Sequence, residues 1–144
     1  MFMRAALNEA EKAKRKDEVP VGCVIVCDGR IIARGHNLKE QKKSALMHAE
    51  IAAIMRASRK LHRWRLSGCT LVVTLEPCPM CMGAVLSARI DRVVFGTADP
   101  KAGACGSVYH INEGGLNHTV SVTGGVMQSE CAEILTEYFK GKRK

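Results

Sequence analysis

The run Thr70-Leu71-Val72-Val73-Thr74-Leu75 limits what this chain can fold into more than any other segment. β-Branched residues dominate it and no charge interrupts it, so it reads as a strand buried on both faces. Such a strand needs a packed layer on each side, and the flanking sequence supplies helices. Upstream, Ile51, Ile54, Met55 and Leu61 form an apolar stripe on a helix from His48 to about Leu61, with Arg56, Arg59 and Lys60 on its outer faces. Downstream, the strand runs directly into Glu76-Pro77-Cys78 and a helix over about 79–88.

The remaining patterns extend this alternation. Apolar residues at 3, 6, 7, 10 and 13 predict a first helix from Phe2 to about Lys16, ended by the charged stretch before Pro20. Asp28-Gly29 is a two-residue turn signal between extended patterns, so residues 21–36 read as a β-hairpin. A polar loop follows over 37–47. After a strand over 92–96 and a Gly-rich stretch over 103–115 come a last strand near Val120 and a helix over about 129–140. The order αββαβαβ-βα predicts a three-layer α/β/α fold around a mixed five-stranded sheet, with the first hairpin as its antiparallel part. At 144 residues the chain reads as a single domain, 1–144.

Charge bears on partners. Lys and Arg number 22 against 14 Asp and Glu, a formal charge of +8 that favours a polyanion such as nucleic acid. Seven cysteines, no long apolar stretch behind Met1 and no run near the ~20 residues that span a bilayer predict a reduced, cytoplasmic protein with free thiols and no membrane association.

Those thiols frame the chemistry. His48-Ala49-Glu50 opens one helix and Pro77-Cys78-Pro79-Met80-Cys81 opens the next. Two cysteines three apart lie within about 60° on a helical turn, so both can reach one tetrahedral ion. Pro79 suits a first helical position, where its missing N–H is no loss. His48 supplies a third ligand, leaving a fourth position open for water, the pattern of catalytic zinc. Residues at i and i+2 of a helix point about 200° apart, so His48 and Glu50 converge only if the metal sits beyond the helix N-terminus. Glu50 is then a proton shuttle rather than a ligand. No second C-x-x-C completes a structural ribbon. Cys23, Cys27, Cys69, Cys105 and Cys131 read as core residues, and His36, His62, His110 and His118 as surface or hydrogen-bonded ones.

H-x-E…P-C-x-x-C is the signature of the zinc nucleobase deaminases. The chain more closely resembles the bacterial tRNA adenosine deaminase family, through His48-Ala49-Glu50, Thr74 to Cys81, Val94-Phe95-Gly96, Asp99-Pro100-Lys101 to Gly106-Ser107, Asn117-His118 and Glu130-Cys131…Tyr138-Phe139. The resemblance implies a cytidine deaminase-like fold, a homodimer, and conversion of a wobble adenosine to inosine in a tRNA anticodon stem-loop. It implies one zinc ion per chain on His48, Cys78 and Cys81, a hydroxide activated by that zinc, and Glu50 as shuttle. It further places Asn37 and the Ala49 N–H on the flipped base, Val21 on its face, and Asp99 and Lys101 near flanking nucleotides, while Tyr138 and Phe139 on the last helix either stack on RNA or cap the core. Where family members commonly carry Pro-Thr-Ala before the histidine, this chain has Ala45-Leu46-Met47, a bulkier and more apolar edge. Residues 35–48 also resemble fungal cytosine deaminase, so the alternative is a deaminase of a free base or nucleoside such as cytosine or guanine. A zinc-stabilised RNA-binding module without catalysis is a third reading, distinguished by its tolerance of Glu50→Ala.

Overall fold

A computed structural model describes residues 1–111 and 118–142. Its elements are α1 (Phe2–Arg15), β1 (Gly22–Cys27), β2 (Arg30–His36), α2 (Ala49–Leu61), β3 (Cys69–Leu75), α3 (Pro79–Ser87), β4 (Arg92–Thr97), β5 (Ser121–Thr123) and α4 (Gln128–Lys142). The order is the predicted one, with boundaries displaced by a residue or two. Asn117, Arg143, Lys144 and positions 112–115 of the Gly-rich stretch lie outside the described residues.

The sheet order is β2-β1-β3-β4-β5. β1 pairs antiparallel with β2 and with β3, whereas β3–β4 and β4–β5 are parallel, so the sheet is mixed as expected. The hairpin turn places both Asp28 (φ 53°) and Gly29 (φ 76°) at positive φ, the backbone that an Asp-Gly pair tolerates best. Alternation along the strands divides the core. Cys23, Ile25, Leu71 and Val73 face α2 and α3, while Val24, Val26 and Val72 face α1 and α4. β3 is thus buried on both faces, which explains its uninterrupted apolar run.

Close packing of α1 fixes where β1 begins. A Cβ on Gly22 would meet the Ala6 carbonyl oxygen at 1.9 Å and the Ala10 nitrogen at 2.5 Å, so a bare backbone and a stripe of alanines let helix and strand touch. The Gly22 N–H donates to Thr74 Oγ1 at 3.2 Å, tying the start of β1 to the end of β3. At that end of the sheet β3 gives way to α3, β2 gives way to the loop before α2, and the N-termini of α2 and α3 meet.

Candidate active site

Both helices are entered through a candidate metal-ligand residue. His48 is the N-cap of α2 (φ −75°, ψ 159°) and Cys78 the N-cap of α3 (φ −78°, ψ 173°), with Pro79 in the first turn. Neither side chain caps its own helix. An N-cap residue has extended backbone, so its side chain does not obey the helical wheel. The angular conflict between His48 and Glu50 therefore disappears: His48 stands outside α2 and Glu50 inside its first turn. Cys78 likewise precedes its helical turn, and reaches Cys81 as an N-cap side chain reaches the third residue.

The three ligand atoms lie within 4.8 Å of one another, the one such group of His, Cys, Asp or Glu among the described residues. His48 Nδ1 is 3.7 Å from Cys78 Sγ and 3.5 Å from Cys81 Sγ. A tetrahedral zinc ion with Zn–N of about 2.0–2.1 Å and Zn–S of about 2.3 Å requires N···S separations of about 3.6 Å. The donor set and its two N···S separations fit zinc. Two helix N-termini add partial positive charge at the same point, favouring thiolates.

Protons are already unevenly distributed here. A hydrogen bond with the Cys81 thiol, helped by His48, brings the Cys78 thiol down to about 4. That same contact pushes Cys81 upward, with burial adding to it. His48 is raised, first by its hydrogen bond to Cys78. Burial pushes the Glu50 carboxyl up to about 7, the charge on Cys78 adding to the effect while His48 and hydrogen bonds oppose it. Glu50 is 4% exposed. A carboxyl poised near neutrality can both take and return a proton at physiological pH.

Beside the centre, Asn37 Oδ1 accepts the Ala49 N–H at 2.8 Å. The two groups expected to bond a base therefore bond each other in this structure. Asn37 also donates its own N–H to the Val21 carbonyl at 3.2 Å, and Val21 is buried. Asp99, Lys101 and Phe139 share a cleft of about 450 Å³ with Val19, Leu75 and Thr97. Val19 and Asn37 border an adjoining cleft of about 350 Å³ with Lys39 and Tyr138. Asp99 is foremost a turn former, its Oδ1 accepting the N–H groups of Lys101 at 2.9 Å and Ala102 at 3.3 Å. Phe139 stands edge-on to Tyr138 at 5.4 Å and is 45% exposed.

Residues 1–97 match the family described as the cytidine and deoxycytidylate deaminase zinc-binding region. The chain is 47% identical over 145 residues to the tRNA-specific adenosine deaminase of Bacillus subtilis, covering 100% of this chain and 90% of that protein. The chain belongs to the tRNA-specific adenosine deaminase family. A solved structure from work on A-to-I editing by tRNA:A34 deaminases at the wobble position of transfer RNA matches this deaminase with TM-score 0.89 and 47% identity, over 93% of this chain and 98% of that one. A guanine deaminase from Nitrosomonas europaea matches with TM-score 0.85 at 25% identity, over 95% of this chain and 82% of that one.

Besides Glu9, which pairs with Lys12 and His36, two buried carboxylates of this deaminase escaped the sequence reading. Glu18 accepts the backbone N–H groups of Glu40 at 3.1 Å and Gln41 at 2.7 Å, pinning the loop that leads from Asn37 to His48. Glu76 anchors the segment that follows β4. In sequence both look like surface acids. For Glu76 a usable signal was its place inside an otherwise apolar strand-to-helix junction, where a charge must find donors. Five cysteines stay free and apart from the metal group, as expected. His36 is held by Glu9 at 3.1 Å, and His118 lies 2.6 Å from the Ile90 carbonyl.

Proposed function

We propose that this chain, acting as one deaminase domain over residues 1–144, hydrolyses the wobble adenosine of a tRNA anticodon loop to inosine, releasing ammonia. The observation that carries this reading is the His48, Cys78 and Cys81 group with the buried, near-neutral Glu50 beside it, in a chain that spans 90% of a tRNA-specific adenosine deaminase at 47% identity. One zinc ion per chain, held by those three residues, would supply Lewis-acid activation of a water molecule.

The chain's own groups do the rest. Glu50 removes a proton from the water that attacks C6 of adenine, then gives it to the departing amine, so one carboxyl serves as base and acid. Burial keeps bulk water from competing for that proton. Asn37 and the Ala49 N–H trade their mutual hydrogen bond for contacts to the base edge, and Val21 packs against its face. Asp99, Lys101 and Phe139 meet the neighbouring nucleotides. A single-stranded loop suits such a site because its bases splay out without first opening a duplex. The excess of Lys and Arg draws the phosphates in. The protein works as a homodimer in the cytoplasm. Among the described residues no helix is long and apolar enough to cross a membrane.

The test is inosine formation in an anticodon stem-loop with A at the wobble position, with wild type and Glu50→Ala, beside free cytosine, guanine and adenosine. Inosine from the wild type alone is the expected result. Ammonia from a free base with no inosine from RNA would instead make this a nucleobase deaminase, the reaction class of its guanine deaminase neighbour.

A further inference from the structure

Glu76 follows β3 directly and is 2% exposed. Its carboxylate accepts four hydrogen bonds from a single segment. Oε1 takes the Asp99 N–H at 3.0 Å and the Ser107 hydroxyl, and Oε2 takes the N–H groups of Cys105 at 2.9 Å and Ser107 at 3.1 Å. The neighbouring backbone adds two more ties, Glu76 N–H to the Thr97 carbonyl at 2.9 Å and Ala104 N–H to the Pro77 carbonyl at 2.8 Å. Next in the chain stands Cys78. Three consecutive residues therefore hold the segment 97–107 and a metal ligand together.

We propose that Glu76 is a positioning residue for substrate: it winds residues 97–107 into a fixed wall of the RNA cleft and so sets affinity without touching the base. This rests on the wobble-deaminase reading above. The wall is wrapped tightly around its anchor, since a Cβ on Gly103 would lie 2.4 Å from Glu76 Cδ. Asp99 completes the turn through its bonds to Lys101 and Ala102 N–H. That turn delivers Asp99, Pro100 and Lys101 to the same cleft as Phe139. Only an anionic carboxylate meets the demand, because each oxygen faces two donors. A glutamine must turn its NH₂ toward one of those pairs, leaving at least one backbone N–H without an acceptor.

Glu76→Gln in the zinc-loaded enzyme tests the assignment. The expected result is a KM for the anticodon stem-loop raised about tenfold or more, kcat within about threefold of wild type, and zinc content unchanged. Hydrogen exchange should quicken at the amides of Asp99, Cys105 and Ser107 and stay unchanged at Val72 and Val73 in β3. An unchanged KM, a loss confined to kcat, or equal protection of those amides overturns the proposal. Should the wild type form no inosine, the wobble reading falls, and the exchange pattern alone decides the role of Glu76. Should Glu76→Gln fail to fold, Ser107→Ala removes a single donor and must raise KM in the same sense; an unaltered KM there overturns it too.

Discussion

Replacing Glu50 by Gln should make the metal-free protein more stable at alkaline pH while removing the proposed proton shuttle. Burial raises the folded-state carboxyl from 4.5 to about 7. Below the unfolded value of 4.5 the group is protonated in both states and contributes no difference. Between 4.5 and about 7 only the unfolded chain releases the proton, so stability falls as pH rises, by about 1.4 kcal/mol per unit. Above about 7 the penalty is complete, at about 3 kcal/mol. A neutral glutamine of the same shape escapes it. Thermal unfolding followed by circular dichroism, in reductant and chelator, should show Glu50→Gln melting roughly 10 °C above wild type at pH 8 and within about 2 °C of it at pH 4.5. Zinc should shrink the gain, because a nearby cation favours the ionised carboxyl. Deamination by the loaded variant should fall about a hundredfold or more. A gain of equal size at both pH values, or none at pH 8, would refute the claim that burial of a charge at this position destabilises the fold.

Three further outcomes follow from the geometry. His48→Ala removes a ligand 3.5 Å and 3.7 Å from the two sulfurs; zinc affinity, read by competition with a chromophoric chelator, should drop by more than about 100-fold. Gly22→Ala sets a methyl group against the α1 backbone, and urea titration should show a loss of about 1–3 kcal/mol or more, with zinc still bound. Stem-loop affinity measured from 50 to 200 mM salt should fall with a log–log slope steeper than about −2, as expected for at least three phosphate contacts; a flat response would remove the basic surface from the binding argument.

Legibility in the sequence tracked how local each feature is. Strand β3, the Asp28-Gly29 turn and the helix stripes are set by residues adjacent in the chain or one helical turn apart, and periodicity shows them directly. The metal group was legible for a different reason, since few structural roles demand His and Cys-x-x-Cys at two helix starts. Even there, local geometry misled: the i, i+2 angle between His48 and Glu50 is meaningful only inside a helix, and His48 is an N-cap with ψ 159°. Glu18 was opaque, and Glu76 legible only as a charge in an apolar junction, because their backbone N–H partners lie 22 to 31 residues away and a backbone donor leaves no mark on sequence. Asn37 shows the same limit from the other side. Its bond to the Ala49 N–H spans 12 residues and closes the proposed base-binding pair on itself. On the function proposed above, a base would have to replace this hydrogen bond of 2.8 Å, an exchange that favours a ligand whose edge offers both an acceptor for the Ala49 N–H and a donor for Asn37 Oδ1. A base that broke the pair but lacked either partner would leave one group unpaired, so discrimination would follow from the penalty for an unsatisfied polar group rather than from shape alone.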